Sequence, residues 1–525
     1  MSNSLTLDAL EKLLYSRFKE GFLTLKDLPQ PHVFKDMQCT TERIISAIKN
    51  KEKIIIIGDY DVDGVIATTL MKLFFEEINY PVKWIIPNRF KDGYGLSEKI
   101  IPHIVGTDLA ITVDNGISAI NAAKRCKILG IDLIITDHHL LPPQIPKAYA
   151  IINPKQTDCT FPYKEICGAQ IVWYLIASLK NTLNIKIDMM AYMELVAIAI
   201  IADVMPLKHI NRTMVIAGLQ RLSKSQRPSV RAYKEYIKKE QFSSEDIGFF
   251  LAPLLNSAGR MDDASYAVNF LISTNIYDAR VHLQQLISFN EARKMTEETI
   301  TKMVLESIDT KAAVTVVSGK GWHEGVVGIV AARVARKIKR PCIVLSDNGK
   351  GVLKGSGRSF GNCDLFATVN PFREQLEKFG GHAMAIGLSL RVEVLEAFKH
   401  SLRKHYVAIE EQNSSDELIG TLHFKDISFA LTSLIKRFEP FGHSNPTPRF
   451  YTPKVCILQS SPMGKEGNHL RFLFKQDGIV HQGVQFRANT IYTPNTMVDI
   501  IYTVNKNIFR GDISLQLMVD EIIIL

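Results

Sequence analysis

The chain has 525 residues, of which 46% are hydrophobic and 22% charged, and its formal net charge is +9. This length suffices for about three or four domains with buried cores, and the composition excludes disordered and collagen-like proteins. The longest apolar run, at 195–202, is far shorter than the roughly 18 residues of a membrane span, and the N-terminal residues lack the pattern of a secretion signal. Seven cysteines without a CxxC pair argue against a disulfide framework or a zinc site. We therefore expect a cytoplasmic protein with no membrane partner.

The order of apolar patterns along the chain predicts five segments. Short β-branched runs at 53–59, 82–87, 109–114 and 133–137 alternate with helical patterns, as in a parallel sheet covered by helices on both faces. A second such pattern starts at 312, after a long charged helix. The predicted segments are a helical preface at 1–50, an α/β domain at 51–207, a helical connector at 208–308, a smaller α/β domain at 309–408 and, after a polar linker at 410–417, a small β-barrel at 418–525.

The positive charge is concentrated in two stretches. Residues 208–245 contain nine Lys or Arg against three Glu, and residues 311–360 contain ten against two acidic residues. Such stretches indicate a polyanionic partner such as nucleic acid, although they are also compatible with ordinary solvated helix faces.

Acidic residues follow three of the four predicted strands of the first domain. They lie in the segments GDYDVDG at 58–64, VDNG at 113–116 and TDHH at 136–139, and IADVMPL at 201–207 follows an apolar helix. Ligands bind at the carboxyl ends of strands in such sheets. Carboxylates suit Mg²⁺ or Mn²⁺, and a histidine nitrogen shifts the preference toward Mn²⁺. Because one ion cannot use five carboxylates and a His-His pair, the pattern predicts two ions about 4 Å apart.

Each segment alone has an ordinary structural explanation. The DxDxD run could be a solvated turn or a calcium loop, Asp114 an Asx turn, the two histidines a hydrogen-bonded strand end, and Asp203 a helix end. Taken together, however, buried carboxylates without a counter-ion repel one another, and a bound cation removes that repulsion.

The acidic segments resemble those of the DHH phosphoesterase superfamily. LNSAGRM at 255–261, GWHEGVVGIVAARV at 321–334, GSGRS at 355–359 and GGHAMAIG at 380–387 resemble segments of its single-stranded-DNA-specific exonucleases. The resemblance extends from about residue 15 nearly to the C-terminus. It implies a parallel-sheet DHH domain and a smaller α/β DHHA1 domain joined by a long helix, with the active site in the cleft between them, and a C-terminal OB-fold β-barrel.

The resemblance also implies roles for individual residues. The implied metal ligands are Asp61, Asp63, Asp114, His138 and Asp203, with Asp114 bridging the two ions. The implied catalytic residues are Asp59 near the first ion, His139 facing the scissile phosphate, and Asp137 orienting the histidine pair. Some relatives carry a histidine four residues before the DxD carboxylates, where this chain has Ile57. The implied substrate-binding residues are Asn256, Arg260, Ser356, Arg358, Gly381 and His382. A tight turn is the alternative for the GGH segment, and a helix cap is the alternative for Asn256 and Arg260.

The expected function is hydrolysis of phosphodiester bonds with two Mn²⁺ or Mg²⁺ ions. No phosphate-binding GxxxxGK[ST] loop and no Ser or Cys triad is visible, so neither ATP nor a covalent intermediate is expected. The resemblance implies a 5′-to-3′ exonuclease that releases mononucleotides from single-stranded DNA during recombination and repair. It also implies a monomer, with a single-strand-binding protein and a RecQ-type helicase as partners.

Two other functions remain open on the sequence. One is a phosphoesterase for short oligonucleotides, cyclic dinucleotides or pyrophosphate, against which the long connector, the basic stretches and the extra barrel argue. The other is a non-catalytic DNA-binding scaffold, against which the full set of acidic segments argues. Aromatic and basic residues alternate in the barrel and suit base stacking, with burial in the core as the alternative. They are Arg471, Phe472, Phe474, Lys475, Phe486, Arg487, Phe509 and Arg510.

Overall fold

The computed structural model describes residues 4–308, 312–404, 418–464, 467–488, 490–509 and 512–525, so the predicted linker at 410–417, Arg510 and the side chain of Phe509 lie outside the described part. The helices are α1 Leu7–Tyr15, α2 Met37–Lys49, α3 Val62–Glu77, α4 Ile101–Ile104, α5 Ile120–Ile128, α6 Gly168–Leu183, α7 Met189–Ala202, α8 His209–Lys224, α9 Pro228–Ile237, α10 Ser244–Asp246, α11 Ala252–Met261, α12 Ser265–Leu271, α13 Ile276–Glu306, α14 Val327–Ile338, α15 Leu365–Val369, α16 Leu395–Lys404 and α17 Phe429–Lys436. The strands are β1 Ile54–Ile57, β2 Val82–Ile85, β3 Leu109–Val113, β4 Asp132–Thr136, β5 Ala150–Ile152, β6 Thr315–Lys320, β7 Cys342–Asp347, β8 Val352–Arg358, β9 Lys378–His382, β10 Ala385–Arg391, β11 Leu418–Thr421, β12 Arg449–Met463, β13 His469–Gln476, β14 Ile479–Phe486, β15 Thr496–Phe509 and β16 Asp512–Ile524.

The first sheet is parallel and has the order β2-β1-β3-β4-β5. The isoleucines of β1 are all buried and alternate between its two faces. Ile54 and Ile56 face the core shared with α3, α6 and α7, whereas Ile55 and Ile57 face the core shared with α4 and α5. The predicted doubly wound sheet is thus confirmed. Its strand order reverses between β1 and β3, which is where such sheets bind ligands.

The predicted connector at 208–308 is helical. It contains α8 to α13, and α13 alone extends over 31 residues. The first half of α13 packs into the core of the first sheet, and Ile300 and Val304 near its end pack into a core with α14. The predicted long helix therefore connects the two sheets physically as well as in sequence.

The second sheet is mixed and has the order β6-β7-β8-β10-β9. Strands β6 and β7 are parallel, and the remaining neighbours are antiparallel. Helix α14 covers one face, and α15 and α16 cover the other. This arrangement confirms a smaller α/β unit after the connector.

The third sheet is a barrel formed by β12 to β16. It closes through the antiparallel pairing of β12 with β15, and the short strand β11 extends its edge beside β12. The N-terminal segment also belongs to this core, because Leu10, Leu14 and Phe18 are buried in one cluster with barrel residues such as Phe450 and Val498. The predicted barrel is confirmed. Helix α1 of the predicted preface packs on it, whereas α2 packs into the core of the first sheet.

No helix within the described part of the chain has the length and apolar character needed to cross a bilayer.

Candidate metal centre and phosphate-binding groups

Three aspartates occupy the turn between β1 and α3. Asp59 is buried directly after the strand, and its Oδ1 atom has no hydrogen-bond partner. Asp61 is the N-cap of α3 and accepts a hydrogen bond from the amide of Gly64 at 3.1 Å. Asp63 lies in the first turn of α3, where its two oxygens accept hydrogen bonds from the first amides of α6 at 2.5 and 2.8 Å. Two helix N-termini therefore hold this turn.

The other predicted ligands approach the same turn from three further elements. Asp114 follows β3 with a left-handed backbone, φ 64°. His138 follows β4, and its Nε2 atom lies 3.2 Å from Asp114 Oδ1, 3.6 Å from Asp203 Oδ2 and 3.7 Å from Asp63 Oδ2. Asp203 is the C-cap of α7. The structure thus brings all the predicted metal ligands together.

The cluster divides into two groups of potential ligands. In each group, one ligand atom per residue lies within 4.8 Å of the others. One group is Asp59, Asp61 and Asp114, and the other is Asp63, His138 and Asp203. Asp114 also forms a group with His138 and His139, so it lies between the two sets. Two neighbouring cation sites that share Asp114 fit this arrangement.

Burial and mutual repulsion perturb the carboxyl groups. Burial, followed by the charges of neighbouring carboxylates, raises the pKa of Asp59 and Asp114 well above the usual range. The same two causes raise the pKa of Asp203 to about 9. Burial lowers the pKa of His138 and favours its neutral form, which is the form that binds metals.

The donor set fits divalent cations. Among the described residues, no Lys or Arg forms an ion pair with these carboxylates, and several buried polar atoms have no hydrogen-bond partner. The unpartnered atoms are Asp59 Oδ1, Asp114 Oδ1, Asp203 Oδ2 and His138 Nδ1. Three of them are carboxylate oxygens, which are the ligands that Mg²⁺ and Mn²⁺ prefer.

His139 lies at the edge of this cluster and is 45% exposed at its side chain. Its Nδ1 atom is 2.7 Å from Asp137 Oδ1, and Asp137 Oδ2 accepts from the amide of Ile117 at 2.8 Å. Burial acts to raise the pKa of Asp137, but the hydrogen bonds from His139 outweigh it and the pKa is lowered. The same contact outweighs burial and raises the pKa of His139. Asp137 thus contacts His139 directly, whereas His138 Nδ1 has no hydrogen-bond partner among the described residues. Orientation of the histidine pair by Asp137 stays a prediction.

Arginines gather beside the acidic cluster. Arg260, in the last turn of α11, is half-buried, and desolvation together with Arg89 and Arg293 lowers its pKa to about 10. Burial, followed by the charge of Arg89, also lowers the pKa of Arg358. Among the described residues, none of Arg89, Arg260 and Arg358 has a carboxylate ion-pair partner. A cluster of mutually repelling guanidinium groups is stabilised by a bound anion such as phosphate.

Arg89 is a further candidate that was not predicted from the sequence. This residue follows β2 in the segment PNRF, at the same carboxyl edge of the sheet as the aspartates, and its guanidinium lies over the ring of Tyr60 at 5.2 Å. The hydroxyl of Tyr94, which was also missed, is 3.4 Å from His139 Nε2. Its position could have identified it, because Arg89 follows the predicted strand at 82–87, the one predicted strand of this domain that no acidic segment follows.

The other predicted substrate-binding residues fall in two places. Ser356 and Arg358 lie on β8, where Arg358 donates to Ser356 Oγ at 2.6 Å and both lie beside Gly328 of α14. Gly381 and His382 are exposed at the end of β9, in the hairpin with β10, where Ala385 pairs with both His382 and Arg358. The GGH residues therefore lie in β9, directly before the turn at 383–384, and their contact with substrate stays a prediction.

Asn256 of α11 faces the acidic turn instead of an open surface. Its Oδ1 atom accepts a hydrogen bond from the amide of Val62, the first residue of α3, at 3.2 Å. Asn256 thus satisfies an amide at the start of α3, as the expected alternative of a helix cap requires, and its contact with substrate stays a prediction.

Two glycines allow close contact between the parts that surround the site. A Cβ atom on Gly259 would lie 2.4 Å from the carbonyl oxygen of Tyr60, and a Cβ on Gly325 would lie 1.9 Å from that of Arg260. The acidic turn, the connector and the start of α14 thus meet backbone to backbone, which places the arginines beside the carboxylates.

Much of the charge in the first basic stretch is neutralised within the protein. Four of its nine cations form ion pairs, and Arg212 is buried over the rings of Phe18 and Phe22. The paired residues are Arg221, Arg227, Lys234 and Lys239. This stretch is therefore weaker evidence for a polyanionic partner than its sequence indicated. The arginines near the acidic cluster, which lack carboxylate partners in the described structure, are stronger evidence.

Some of the alternating aromatic residues of the barrel are buried and others are exposed. Phe472 and Phe474 are fully buried and stack on each other with ring centroids 4.9 Å apart, so base stacking by these two is excluded. Phe486 is 56% exposed.

Family models match three parts of the chain. The DHH family, N-terminal domain, matches residues 53–200, the DHHA1 domain matches 309–407, and the RecJ OB domain matches 420–521. These matches coincide with the parallel sheet, the mixed sheet and the barrel, respectively.

Curated proteins and solved structures resemble the chain over most of its length. It is 32% identical to the single-stranded-DNA-specific exonuclease RecJ of Haemophilus influenzae, over 99% of this chain and 96% of that protein. It is 33% identical to the same exonuclease of Escherichia coli, over 92% and 89%. The crystal structure of RecJ from Thermus thermophilus in complex with Mn²⁺ has a TM-score of 0.80 at 24% identity, covering 93% of this chain and 72% of that one. A crystal structure of exonuclease RecJ bound to manganese has a TM-score of 0.63 at 27% identity, covering 71% and 94%. The chain belongs to the RecJ family of single-stranded-DNA-specific exonucleases.

Proposed function

We propose that this protein hydrolyses the phosphodiester bonds of single-stranded DNA from the 5′ end with two Mn²⁺ or Mg²⁺ ions, releasing mononucleotides in recombination and repair. The observation that carries the proposal is the buried cluster of Asp59, Asp61, Asp63, Asp114, His138 and Asp203, which has unpartnered ligand atoms and no Lys or Arg counter-ion in the described structure. The similarity to single-stranded-DNA-specific exonucleases supports single-stranded DNA as the substrate.

The two ligand groups would each hold one ion, with Asp114 shared. Structures of the relative from Thermus thermophilus in complex with Mn²⁺ and with Mg²⁺ support both metals. Bound there, a pair of divalent cations would supply Lewis acidity to the scissile phosphate and to the water that attacks it. Asp63 is held by the amides of α6, so it would enter the reaction already oriented.

His139 is the proton-carrying group that we assign beside the metal ligands. Because Asp137 accepts from Nδ1 and raises the pKa of the imidazole, Nε2 would carry a proton toward the substrate phosphate. This proton would stabilise negative charge on a phosphate oxygen in the transition state.

Arg89, Arg260 and Arg358 would hold a phosphate of the strand at a fixed distance from the metal ligands. Their missing counter-ions and their mutual effects on pKa support an anion at this place. If that anion is a terminal 5′ phosphate, the scissile bond is always a fixed number of nucleotides from the end. Release of mononucleotides with 5′-to-3′ polarity would follow.

We further propose that the chain acts as a cytoplasmic monomer with the five segment boundaries given above, and that a single-strand-binding protein and a RecQ-type helicase are its partners. Membership of the family supports these statements. Light scattering of the purified chain tests the monomer, and a dimer mass would reject it.

The first experiment compares single-stranded DNA labelled at its 5′ end, the same DNA labelled at its 3′ end, and a blunt duplex. Each is digested with Mn²⁺, with Mg²⁺ and with EDTA. Immediate release of mononucleotide from the 5′ label, absent with EDTA and on the duplex, is expected. The variant Asp63→Ala should be inactive, whereas Asp158→Ala, at an exposed surface ion pair, should retain full activity.

Two outcomes would reject the proposal. Cleavage of dinucleotides without cleavage of long strands would identify a small-substrate phosphoesterase. Tight binding of DNA without cleavage in any metal would identify a scaffold.

A further inference from the structure

Helix α7, which has Asp203 as its C-cap, ends in a turn with an unusual backbone conformation. After α7, the amide of Val204 donates to the carbonyl of Ile201 at 3.2 Å, and the amide of Met205 donates to that of Ile200 at 3.1 Å. This helix end requires a left-handed residue after the cap, and glycine is the usual choice. Here the position is Val204, with φ 54° and a 62% exposed side chain. A β-branched residue is strained in this conformation and needs support from its surroundings.

That support comes from the C-terminal part of the chain. The Nδ1 atom of His443 lies 2.8 Å from the carbonyl oxygen of Val204. Because a carbonyl only accepts, Nδ1 carries the proton and donates it. The carbonyl of His443 accepts in turn from the amide of Leu207 at 2.8 Å. One residue of the segment that leads into the barrel thus contacts both ends of the 204–207 turn.

The loop that carries His443 is itself fixed. Asn445 is fully buried, and its side-chain amide donates to the carbonyls of Phe438 and Pro440, both at 2.9 Å. Arg212, at the start of α8, donates to the carbonyls of Arg437 at 3.0 Å and Glu439 at 2.7 Å. The imidazole is therefore presented to Val204 from a rigid support.

We propose that His443 is a positioning residue for Asp203, which holds the strained turn so that the Asp203 carboxylate stays in the metal-binding geometry. The inference rests on the proposed metal function of Asp203. It makes the C-terminal segment a part of the metal centre, through a hydrogen bond to the residue next to a ligand.

The test measures Mn²⁺ binding to the intact chain without DNA, by electron paramagnetic resonance of the free ion. His443→Ala should weaken the binding of one ion by about 3- to 10-fold, the effect of losing one hydrogen bond. His443→Asn, which can place an amide donor near Nδ1, should restore most of the affinity. His423→Ala is the matched control, because the His423 side chain, also in the C-terminal part, makes no hydrogen bond in the described structure, and its Mn²⁺ binding should equal that of the wild type.

A second variant separates positioning from general destabilisation. Val204→Gly removes the strain at the turn, so the double variant Val204→Gly, His443→Ala should bind Mn²⁺ more tightly than His443→Ala alone. In nuclease assays at limiting Mn²⁺, His443→Ala should lower kcat with little change in KM for DNA.

The outcomes distinguish the inference from the function on which it rests. A wild-type chain that binds no Mn²⁺ would overturn the metal centre itself. Normal Mn²⁺ binding by His443→Ala, or equal loss in the alanine and asparagine variants, would overturn only the role of His443. A rise in KM without a change in Mn²⁺ binding would do the same.

Discussion

At the residue scale, carboxyl groups of the acidic cluster have raised pKa values and hold their protons to higher pH than usual. A bound cation would displace these protons. In the folded protein, burial and neighbouring carboxylates raise the pKa of Asp203 to about 9, while an unfolded aspartate ionises near pH 4. Between these values the folded chain binds more protons than the unfolded chain. Its stability therefore falls as the pH rises toward and through the folded pKa.

Thermal unfolding should show this dependence directly. With EDTA, the Tm should fall between pH 6 and pH 9.5, and Mn²⁺ should raise it by an amount that grows with pH, because the ions replace protons. The variant Asp203→Asn should show a flatter dependence with EDTA. Parallel Tm curves for this variant and the wild type would contradict the assignment of the titrating group.

The unpaired arginines give a second prediction at this scale. Arg358→Gln keeps the side-chain size but removes the charge, so the apparent KM for single-stranded DNA should rise about 10- to 100-fold, as for a lost charge-assisted hydrogen bond. Lys350→Gln, at an exposed turn of the same domain, should change it by less than about twofold. The dependence of binding on salt should also weaken for Arg358→Gln, since one phosphate contact is lost.

At the element scale, the starts of α3 and α6 meet at the site. Asp63 is in the first turn of α3 and accepts from the first two amides of α6, so each helix fixes the orientation of the other at the carboxylate. The alternation of three aspartates in the sequence predicted a common target for them. It did not show that the extended part ends at Asp61 and that a helix begins there, because capping is decided by the tertiary partners of the turn.

A substitution of Gly168, at the start of α6, tests the contact between α6 and the acidic cluster. A Cβ atom there would lie 2.4 Å from Asp114 Oδ1, so Gly168→Ala should displace that carboxylate and lower activity by about 100-fold or more. Gly248→Ala is the control, because its Cβ would meet only Ile201 at an ordinary 3.6 Å. Measured kcat values that are equal in both variants would show that the Asp114 position tolerates the change.

Strand prediction succeeded where the pattern was strong. Runs of buried β-branched residues identified β1, β3 and β4, since both faces of a parallel sheet are apolar. Strand β2 was also predicted, although it lies at the sheet edge and none of its four residues is buried. Strand β5 has only three residues, Ala150–Ile152, and is too short for such a pattern. Arg89 was missed for a different reason, because its role depends on the arginines of other segments that folding brings near it.

At the scale of the whole molecule, the N-terminal helix and the C-terminal barrel share one core. Leu10 and Leu14 of α1 are almost completely buried among barrel residues, and Arg17 donates to Asn445 and to the carbonyl of Pro446. The apolar spacing of this segment predicted a helix. It could not identify the partner of the helix, because periodicity describes a face and not what covers it.

Leu13 and Leu14 of α1 differ in burial, so alanine variants of the two residues test how much the contact between α1 and the barrel stabilises the fold. Leu14 is fully buried, so Leu14→Ala should reduce the free energy of unfolding of the barrel by about 2–5 kcal/mol. Leu13 is 43% exposed, and Leu13→Ala should change it by no more than about 0.5 kcal/mol. Denaturant unfolding followed by the fluorescence of a label on the barrel measures both, and equal effects would contradict the shared core.

The contact between α1 and the barrel also has a consequence for synthesis on the ribosome. Arg17 and Asn445 are separated by 428 positions, so at about 5–20 residues per second the nascent helix waits about 20–90 s for its partner. Throughout that time Leu10 and Leu14 lack their barrel partners, so we expect a chaperone to bind α1 of the growing chain. Folding of the barrel onto α1 would then cover these leucines.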